Sequence, residues 1–287
     1  MTLTIIFLAA AVMLVLAIIF SYILGWANEA FHVDVDPRIE AITAALPSAN
    51  CGGCGFLGCV DYATAIVEKN EAINKCPVGG ATVTQAVSSI MGIEVVASAP
   101  LKAMVKCGAH SKESKMRSYR GEQTCLGANF VSGVKECSYG CLGFGDCVNA
   151  CAYDALSIQD GLATVHYDNC VGCMLCTKVC PRSLMVMIPF VTDPMPAVAC
   201  ANLDAAKDVK AACSKGCIGC KICERKCDLY VVSNNLASLK YDEYTADRLS
   251  DTLLGMVKCP NQTIHLVGDE KKAPPIPTEE KMDSTTA

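Results

Sequence analysis

The hydrophobic pattern divides the chain before any residue chemistry is considered. No charged side chain occurs between Met1 and Asn28, and Leu3 to Ile23 is almost wholly apolar. At ~1.5 Å per helical residue that run reaches ~30 Å, the thickness of a bilayer core. Trp26 and Tyr22 stand where interfacial aromatic rings would. A secretory signal is the rival reading, but the segment has no basic n-region and no clear small-x-small cleavage site. The pattern predicts one transmembrane anchor over residues 1–27. Arg38 and the lysines beyond it point the C-terminal side toward the cytoplasm.

After the anchor the period shortens. Ala-rich amphipathic runs at Ile39–Leu46, Val60–Glu68 and Thr82–Met91 predict short helices, the first opened by Pro37 after Asp36. A basic polar patch from Lys112 to Arg120 reads as a solvated loop or a docking surface. Farther on, alternating runs flank turn residues twice. Ala155–Gln159 and Leu162–Asp168 enclose Asp160-Gly161, and Tyr230–Ser233 and Leu236–Asp242 enclose Asn234-Asn235. Both patterns predict β-hairpins. Past Asp269 the chain is rich in Pro and charge and reads as a disordered tail.

Composition changes this picture in one respect: 21 of the 287 residues are cysteine. A chain of this length can bury an apolar core without disulfide staples. The number is odd, and most cysteines have another only three or four positions away. That spacing suits metal or cluster ligands in a reducing compartment. Export would put the thiols in an oxidising compartment, a second reason to place the cysteine-rich part on the cytoplasmic side. With 24 Lys and Arg against 29 Asp and Glu, the net charge of −5 argues against nucleic acid as a partner.

Each predicted hairpin follows a cysteine block, and the two blocks align without a gap. Cys137, Cys141, Cys147 and Cys151 match Cys213, Cys217, Cys223 and Cys227. After the first hairpin comes Cys170-x₂-Cys173-x₂-Cys176-x₃-Cys180-Pro181. In two-cluster ferredoxins the triplet of such a run binds one cubane and its fourth cysteine serves the other. The crossing gives one expected set of Cys151, Cys170, Cys173 and Cys176. It gives a second of Cys137, Cys141, Cys147 and Cys180, in which Cys137 substitutes for the slot that Phe144 occupies and that Cys220 fills in the second copy. Zinc sites use paired cysteines without a proline-terminated triplet.

The second copy is a half-ferredoxin. Tyr244, Asp247 and Ser250 stand where Cys170, Cys173 and Cys176 would be, and Asp242–Lys258 reads as a helix. Cys259-Pro260 remains, and Thr263–Val267 can supply a closing strand. One cluster is expected on Cys217, Cys220, Cys223 and Cys259, with Cys227 left as a buried thiol. Cys51, Cys54, Cys59 and Cys76 form a separate glycine-rich group, for which zinc is the rival reading. Cys107, Cys125, Cys200 and Cys213 are then left over, either as structural thiols or as ligands of a fifth cluster.

The fold class that follows is α+β. Its expected parts are the anchor (1–27), a helical 4Fe-4S domain (28–100), a bridging segment (101–136), a bacterial-type two-cluster ferredoxin domain (137–190), a degenerate one-cluster ferredoxin domain (191–268) and the tail (269–287). No nucleophile–base pattern, GxGxxG loop or P-loop occurs. His32, His110, His166 and His265 are scattered and read as surface or packing residues. The expected chemistry is one-electron transfer through four [4Fe-4S] clusters, or five.

Asp36-Pro-Arg, Leu46-Pro-Ser-Ala-Asn-Cys-Gly-Gly-Cys-Gly, Cys59-x-x-Tyr-Ala and Cys76-Pro-Val-Gly-Gly follow the apolar anchor in order. Together they resemble the B subunit of the Rnf membrane complex. The blocks beginning at Tyr139 and Gly216 are similar to longer B subunits with extra ferredoxin domains. The resemblance implies a ferredoxin:NAD⁺ oxidoreductase that couples electron transfer to Na⁺ or H⁺ translocation at the inner membrane. It further implies that this subunit takes electrons from soluble ferredoxin, with nicotinamide and flavin chemistry on partner subunits. The missing triplet in the second copy departs from the family pattern. A cluster subunit of a membrane hydrogenase or carbon monoxide dehydrogenase complex is the rival reading within the class. A zinc-stabilised membrane scaffold is the rival outside it.

Overall fold

A computed structural model describes residues 2–31, 36–94, 99–131 and 133–272. His32 and most of the expected tail lie outside the described residues. The apolar N-terminal run forms α1 (Thr2–Ala30). From Thr4 onward its side chains are exposed, apart from half-buried Ala27. Thr4–Ala30, with mean hydropathy 2.8, is long and apolar enough to cross a membrane.

The next unit is a three-helix knot around one apolar core. Asp36 caps α2 (Pro37–Ala45) by accepting the Arg38 N–H at 2.8 Å, and Pro37 sits where a helix needs no donor. α3 (Cys59–Lys69) and α4 (Gly80–Met91) end on Asn70 and Gly92, both in the left-handed region. Ile42, Tyr62, Ile66 and Val87 fill the core. Each such side chain contributes about 1.5–3 kcal/mol when fully buried.

The remainder is built twice from one plan. The first unit opens with β1 (Leu101–Val105), continues through α5 (Cys125–Asn129) and α6 (Asp146–Asn149), and turns through the hairpin β2 (Leu156–Gln159) and β3 (Leu162–Val165). It closes with α7 (Leu175–Val179) and β4 (Met185–Pro189), which pairs antiparallel with β1, Val105 opposite Met185. The second unit opens with β5 (Met195–Val198), followed by α8 (Ala206–Ala212) and α9 (Ile222–Lys226). The hairpin β6 (Tyr230–Ser233) and β7 (Leu236–Leu239), α10 (Leu249–Val257) and β8 (Ile264–Val267) complete it. β8 pairs antiparallel with β5, Val198 opposite Ile264.

The segment expected to be a bridge therefore begins with the opening strand of the first ferredoxin unit. Its basic patch folds back on residues 134–136, with Met116 bridged to Lys135, and exposes Lys112, Lys115, Arg117 and Arg120. Both hairpin turns have positive φ at their two central residues: Asp160 and Gly161, then Asn234 and Asn235. The close approach of the cysteine loop to the hairpin is also repeated. A β-carbon at Gly143 would meet the Gly161 carbonyl oxygen at 2.5 Å, and one at Gly219 would meet the Asn235 Cα at 2.8 Å.

Where the second unit lacks its triplet, side chains occupy the interior. Tyr244, at the position matching Cys170, is buried in one core with Cys227, Leu229 and Tyr230, and its hydroxyl bonds Thr192 Oγ1 at 3.0 Å.

Candidate metal centres

Four cavities of nearly equal size are each lined by four cysteines. Cys151, Cys170, Cys173 and Cys176 surround one of about 350 Å³, its open mouth included. Cys125, Cys141, Cys147 and Cys180 surround one of about 380 Å³. Cys217, Cys220, Cys223 and Cys259 line another of about 380 Å³. Cys107, Cys137, Cys200 and Cys213 line the fourth, about 360 Å³. In the helical domain Cys54, Cys59 and Cys76 gather on one core, and Cys51 Sγ stands 3.5 Å from where a Gly53 β-carbon would be.

Cys125 and Cys137 exchange the places that spacing predicts. The Asp146 carboxylate accepts the N–H groups of Cys125 at 2.8 Å and Leu126 at 3.0 Å, which fastens the start of α5 beside Cys147. Thr124 Oγ1 accepts the Gly127 N–H and completes the cap. Arg182 Nη1 meanwhile donates to the carbonyls of Cys137 at 3.2 Å and Gly140 at 2.6 Å, fixing that loop, while Asn202 Nδ2 donates to Cys137 Sγ at 3.5 Å in the other cavity. The side chains of Asp146, Arg182 and Asn202 thus seat Cys125 where spacing predicts Cys137. The sequence clue was Phe144: an empty ligand slot needs a ligand from elsewhere, and that ligand need not be the nearest cysteine.

The sulfur atoms accept backbone N–H groups throughout. Gly79 donates to Cys76 at 3.4 Å, Ala103 to Cys170 at 3.4 Å, Leu184 to Cys180 at 3.4 Å, Ala237 to Cys217 at 3.4 Å and Thr263 to Cys259 at 3.3 Å. Such donors stabilise anionic sulfur and tune cluster potential. Burial opposes them. It pushes Cys147 up to about 12, followed by the charges of Cys141, Cys125, Cys180 and Cys176. Burial is also the first cause that raises Cys176, Cys200 and Cys223 to about 11. These thiols stay protonated at neutral pH until a metal takes the proton's place.

Iron–sulfur cubanes fit this arrangement: soft thiolates, four to a cavity, with N–H groups aimed at sulfur. Among the described residues, no group of three or more His, Cys, Asp or Glu is drawn together tightly enough for a single ion. His110 and His166 serve the first hairpin instead, bonding the Gln159 carbonyl and Ser157 Oγ.

The fold and these centres define an iron–sulfur electron-transfer protein. A family model described as "Putative Fe-S cluster" matches residues 46–78, and one for a 4Fe-4S binding domain matches 163–183. The chain is 39% identical over 234 residues to the B subunit of the Na⁺-translocating ferredoxin:NAD⁺ oxidoreductase complex of Acetobacterium woodii, covering 80% of this chain and 70% of that one. It is 38% identical over 226 residues to the B subunit of an ion-translocating oxidoreductase complex of Methanosarcina acetivorans, covering 77% and 84%. With the B subunit of the proton-translocating ferredoxin:NAD⁺ oxidoreductase complex of Clostridium ljungdahlii it shares 34% over 262 residues, 89% and 90% of the two chains. The chain belongs to the B subunits of Rnf-type ion-translocating oxidoreductase complexes, and is an electron-transfer subunit of such a complex.

Proposed function

We propose that this subunit receives electrons from soluble ferredoxin and passes them singly toward partner subunits, which reduce NAD⁺ and move Na⁺ or H⁺. α1 crosses the inner membrane once, and the cysteine-bearing units stand on its cytoplasmic side. Four [4Fe-4S] clusters would be held by Cys51, Cys54, Cys59 and Cys76; Cys151, Cys170, Cys173 and Cys176; Cys125, Cys141, Cys147 and Cys180; and Cys217, Cys220, Cys223 and Cys259. Each cluster supplies one-electron transfer without bond making.

The observation that carries this reading is the succession of quartets. Gly53 lies so close to the Cys173 carbonyl that a β-carbon would stand 3.1 Å from its oxygen. Tyr153 lies between those groups, raised first by burial and then by the charges of Cys173, Cys51, Cys151 and Cys76. Cys147 in turn feels Cys176 of the neighbouring quartet. The chain's own residues would thus hold neighbouring carriers close together. In the last quartet along the chain Cys220 is exposed, with Lys221, Arg225 and Lys226 exposed beside it in sequence. That surface suits an acidic electron carrier.

Anaerobically purified complex should show a broad visible absorption that bleaches with reduced ferredoxin. Charge reversal at Lys221, Arg225 and Lys226 should raise the KM for ferredoxin and leave dithionite reduction unchanged. A colourless, zinc-only protein would overturn the reading. Proteolysis of inside-out vesicles, releasing cluster domains that intact cells protect, tests the sidedness.

A further inference from the structure

We infer that Cys107, Cys137, Cys200 and Cys213 hold a fifth [4Fe-4S] cluster at the junction of the two ferredoxin units, each unit contributing an equivalent pair of ligands. The inference rests on the electron-relay reading above and extends it to a site that neither matched family region covers.

Equivalence is the first argument. Cys107 follows Val105 by two residues, and Val105 pairs with Met185, five residues after Cys180. Cys200 follows Val198 by two residues, and Val198 pairs with Ile264, five residues after Cys259. The two cysteines therefore occupy one position in the repeated plan, and Cys137 and Cys213 occupy another. The hydrogen bonds repeat too: Cys141 N–H donates to Cys107 Sγ at 3.5 Å, and Cys217 N–H to Cys200 Sγ at 3.3 Å. Cys141 and Cys217 are themselves equivalent. Four thiols from four separate segments meet on a near-symmetric junction in a space of about 360 Å³, matching the other three cavities. Unrelated structural thiols have no reason to converge in this way.

The polar groups around the cavity are the second argument. Lys135 lines it at 3% exposure, its Nζ donating to the carbonyls of Cys141 at 2.8 Å and Ala109 at 3.4 Å. No carboxylate pairs with that ammonium among the described residues. Burying a charge is costly unless an opposite charge meets it. Four thiolates around a cubane form an anion, and supply that opposite charge. Ser114 also lines the cavity, and its buried Oγ finds no hydrogen-bond partner among the described residues. A hydroxyl proton facing cluster sulfur would satisfy it. Asn202 adds its Nδ2 to Cys137 Sγ at 3.5 Å and its backbone N–H to Cys200 Sγ at 3.5 Å.

Placement gives the site its work. Its sulfurs receive N–H groups from Cys141 of the first unit's quartet and Cys217 of the second's, so it stands between them. With clusters bound, the four cysteines would hold a one-electron carrier between the Cys217 and Cys141 sets, each one-electron oxidation on one side being matched by a one-electron reduction on the other. No proton moves and no bond breaks.

Iron, acid-labile sulfide and zinc should be counted on the anaerobic complex carrying wild-type, Cys200→Ala or Cys227→Ala chain, together with EPR redox titration. Cys200→Ala is expected to lose about four irons and one signal, and Cys227→Ala none. Unchanged iron in Cys200→Ala, or loss of zinc instead, overturns the fifth cluster while leaving the relay reading intact. A wild-type complex in which this chain carries no sulfide overturns both. If Cys200→Ala does not accumulate, Lys135→Met keeps every cysteine: one signal should move to lower potential, and a titration superimposable on wild type overturns the assignment.

Discussion

Cys107 and Cys200 lie ninety-three positions apart in sequence and occupy the same place in two copies of one fold, each two residues past its opening strand. Each also accepts the N–H of an equivalent cysteine, Cys141 or Cys217. The duplicated unit is thus longer than the duplicated motif. It begins at β1 and β5, where strand pairing is shared but cysteine spacing is not.

The exchange of Cys125 and Cys137 has a direct consequence. Cys125→Ala should abolish the same EPR signal as Cys147→Ala and leave the junction signal alone, whereas Cys137→Ala should do the reverse. Asp146→Ala keeps every thiol and the Thr124 cap but releases Cys125, at a cost of about 1–3 kcal/mol for the backbone N–H groups left without their carboxylate. Iron loss from that quartet to a chelator should become faster than in wild type. An unchanged rate would mean that Cys125 is positioned by something other than Asp146.

Gly53 is a point of close approach between the helical domain and the first ferredoxin unit. A β-carbon there would approach Pro77 Cγ at 2.9 Å and the Cys173 carbonyl oxygen at 3.1 Å. Gly53→Val should push the Cys51 loop away from the Cys173 loop. Because the ferredoxin units are untouched, their clusters should still reduce at the wild-type rate, while electron delivery to the Cys51 quartet slows at least several-fold. Stopped-flow reduction with freeze-quench EPR separates the two phases.

Lys135 places a buried positive charge beside the junction quartet. Its removal in Lys135→Met favours the less anionic, oxidised state, so the midpoint potential there should fall. A change of ~1.4 kcal/mol corresponds to ~59 mV for one electron, and a loss of tens of millivolts is the expected scale. Lys135→Arg should restore most of it. Redox titration followed by EPR measures both.

Tyr62 ties α3 to the segment that delivers Cys76: its hydroxyl donates to the Ala72 carbonyl at 2.8 Å and accepts the Lys75 N–H at 3.1 Å. Tyr62→Phe leaves both backbone groups unpaired and should cost the helical domain about 1–3 kcal/mol. Burial pushes this phenol up to about 12 from its ordinary value near 10. A raised folded-state value means that its contribution is complete below pH ~10 and fades as pH climbs toward 12. The stability gap between wild type and Tyr62→Phe should therefore narrow over that window in denaturant titrations of the helical domain, followed by loss of its cluster signal.

α1 has no packing partner along its apolar length among the described residues. Deleting residues 2–30 should leave the cores around Ile66, Leu162 and Tyr230 intact. The shortened chain should be recovered without detergent and remain brown under anaerobic conditions. A colourless aggregate would mean that the anchor contributes to the cluster fold.

Much was legible in the sequence because it rests on short-range physics. The apolar run set α1, the Asp-Gly and Asn-Asn turns set the two hairpins, and CxxC spacing brought Cys170, Cys173 and Cys176, or Cys217, Cys220 and Cys223, around one space. The loss of the second triplet was also readable, since Tyr244 and the helix α10 replace it with apolar packing. What only the tertiary structure decided were the ligands that arrive from a distance. Asp146 and Arg182 choose between Cys125 and Cys137 through hydrogen bonds to backbone groups twenty-one and more residues away. Strand pairing between β1 and β4, and between β5 and β8, carries Cys107 and Cys200 to one junction. Neither choice leaves a spacing in the chain, because a thiol fixed by long-range pairing is placed by its partners and not by its neighbours.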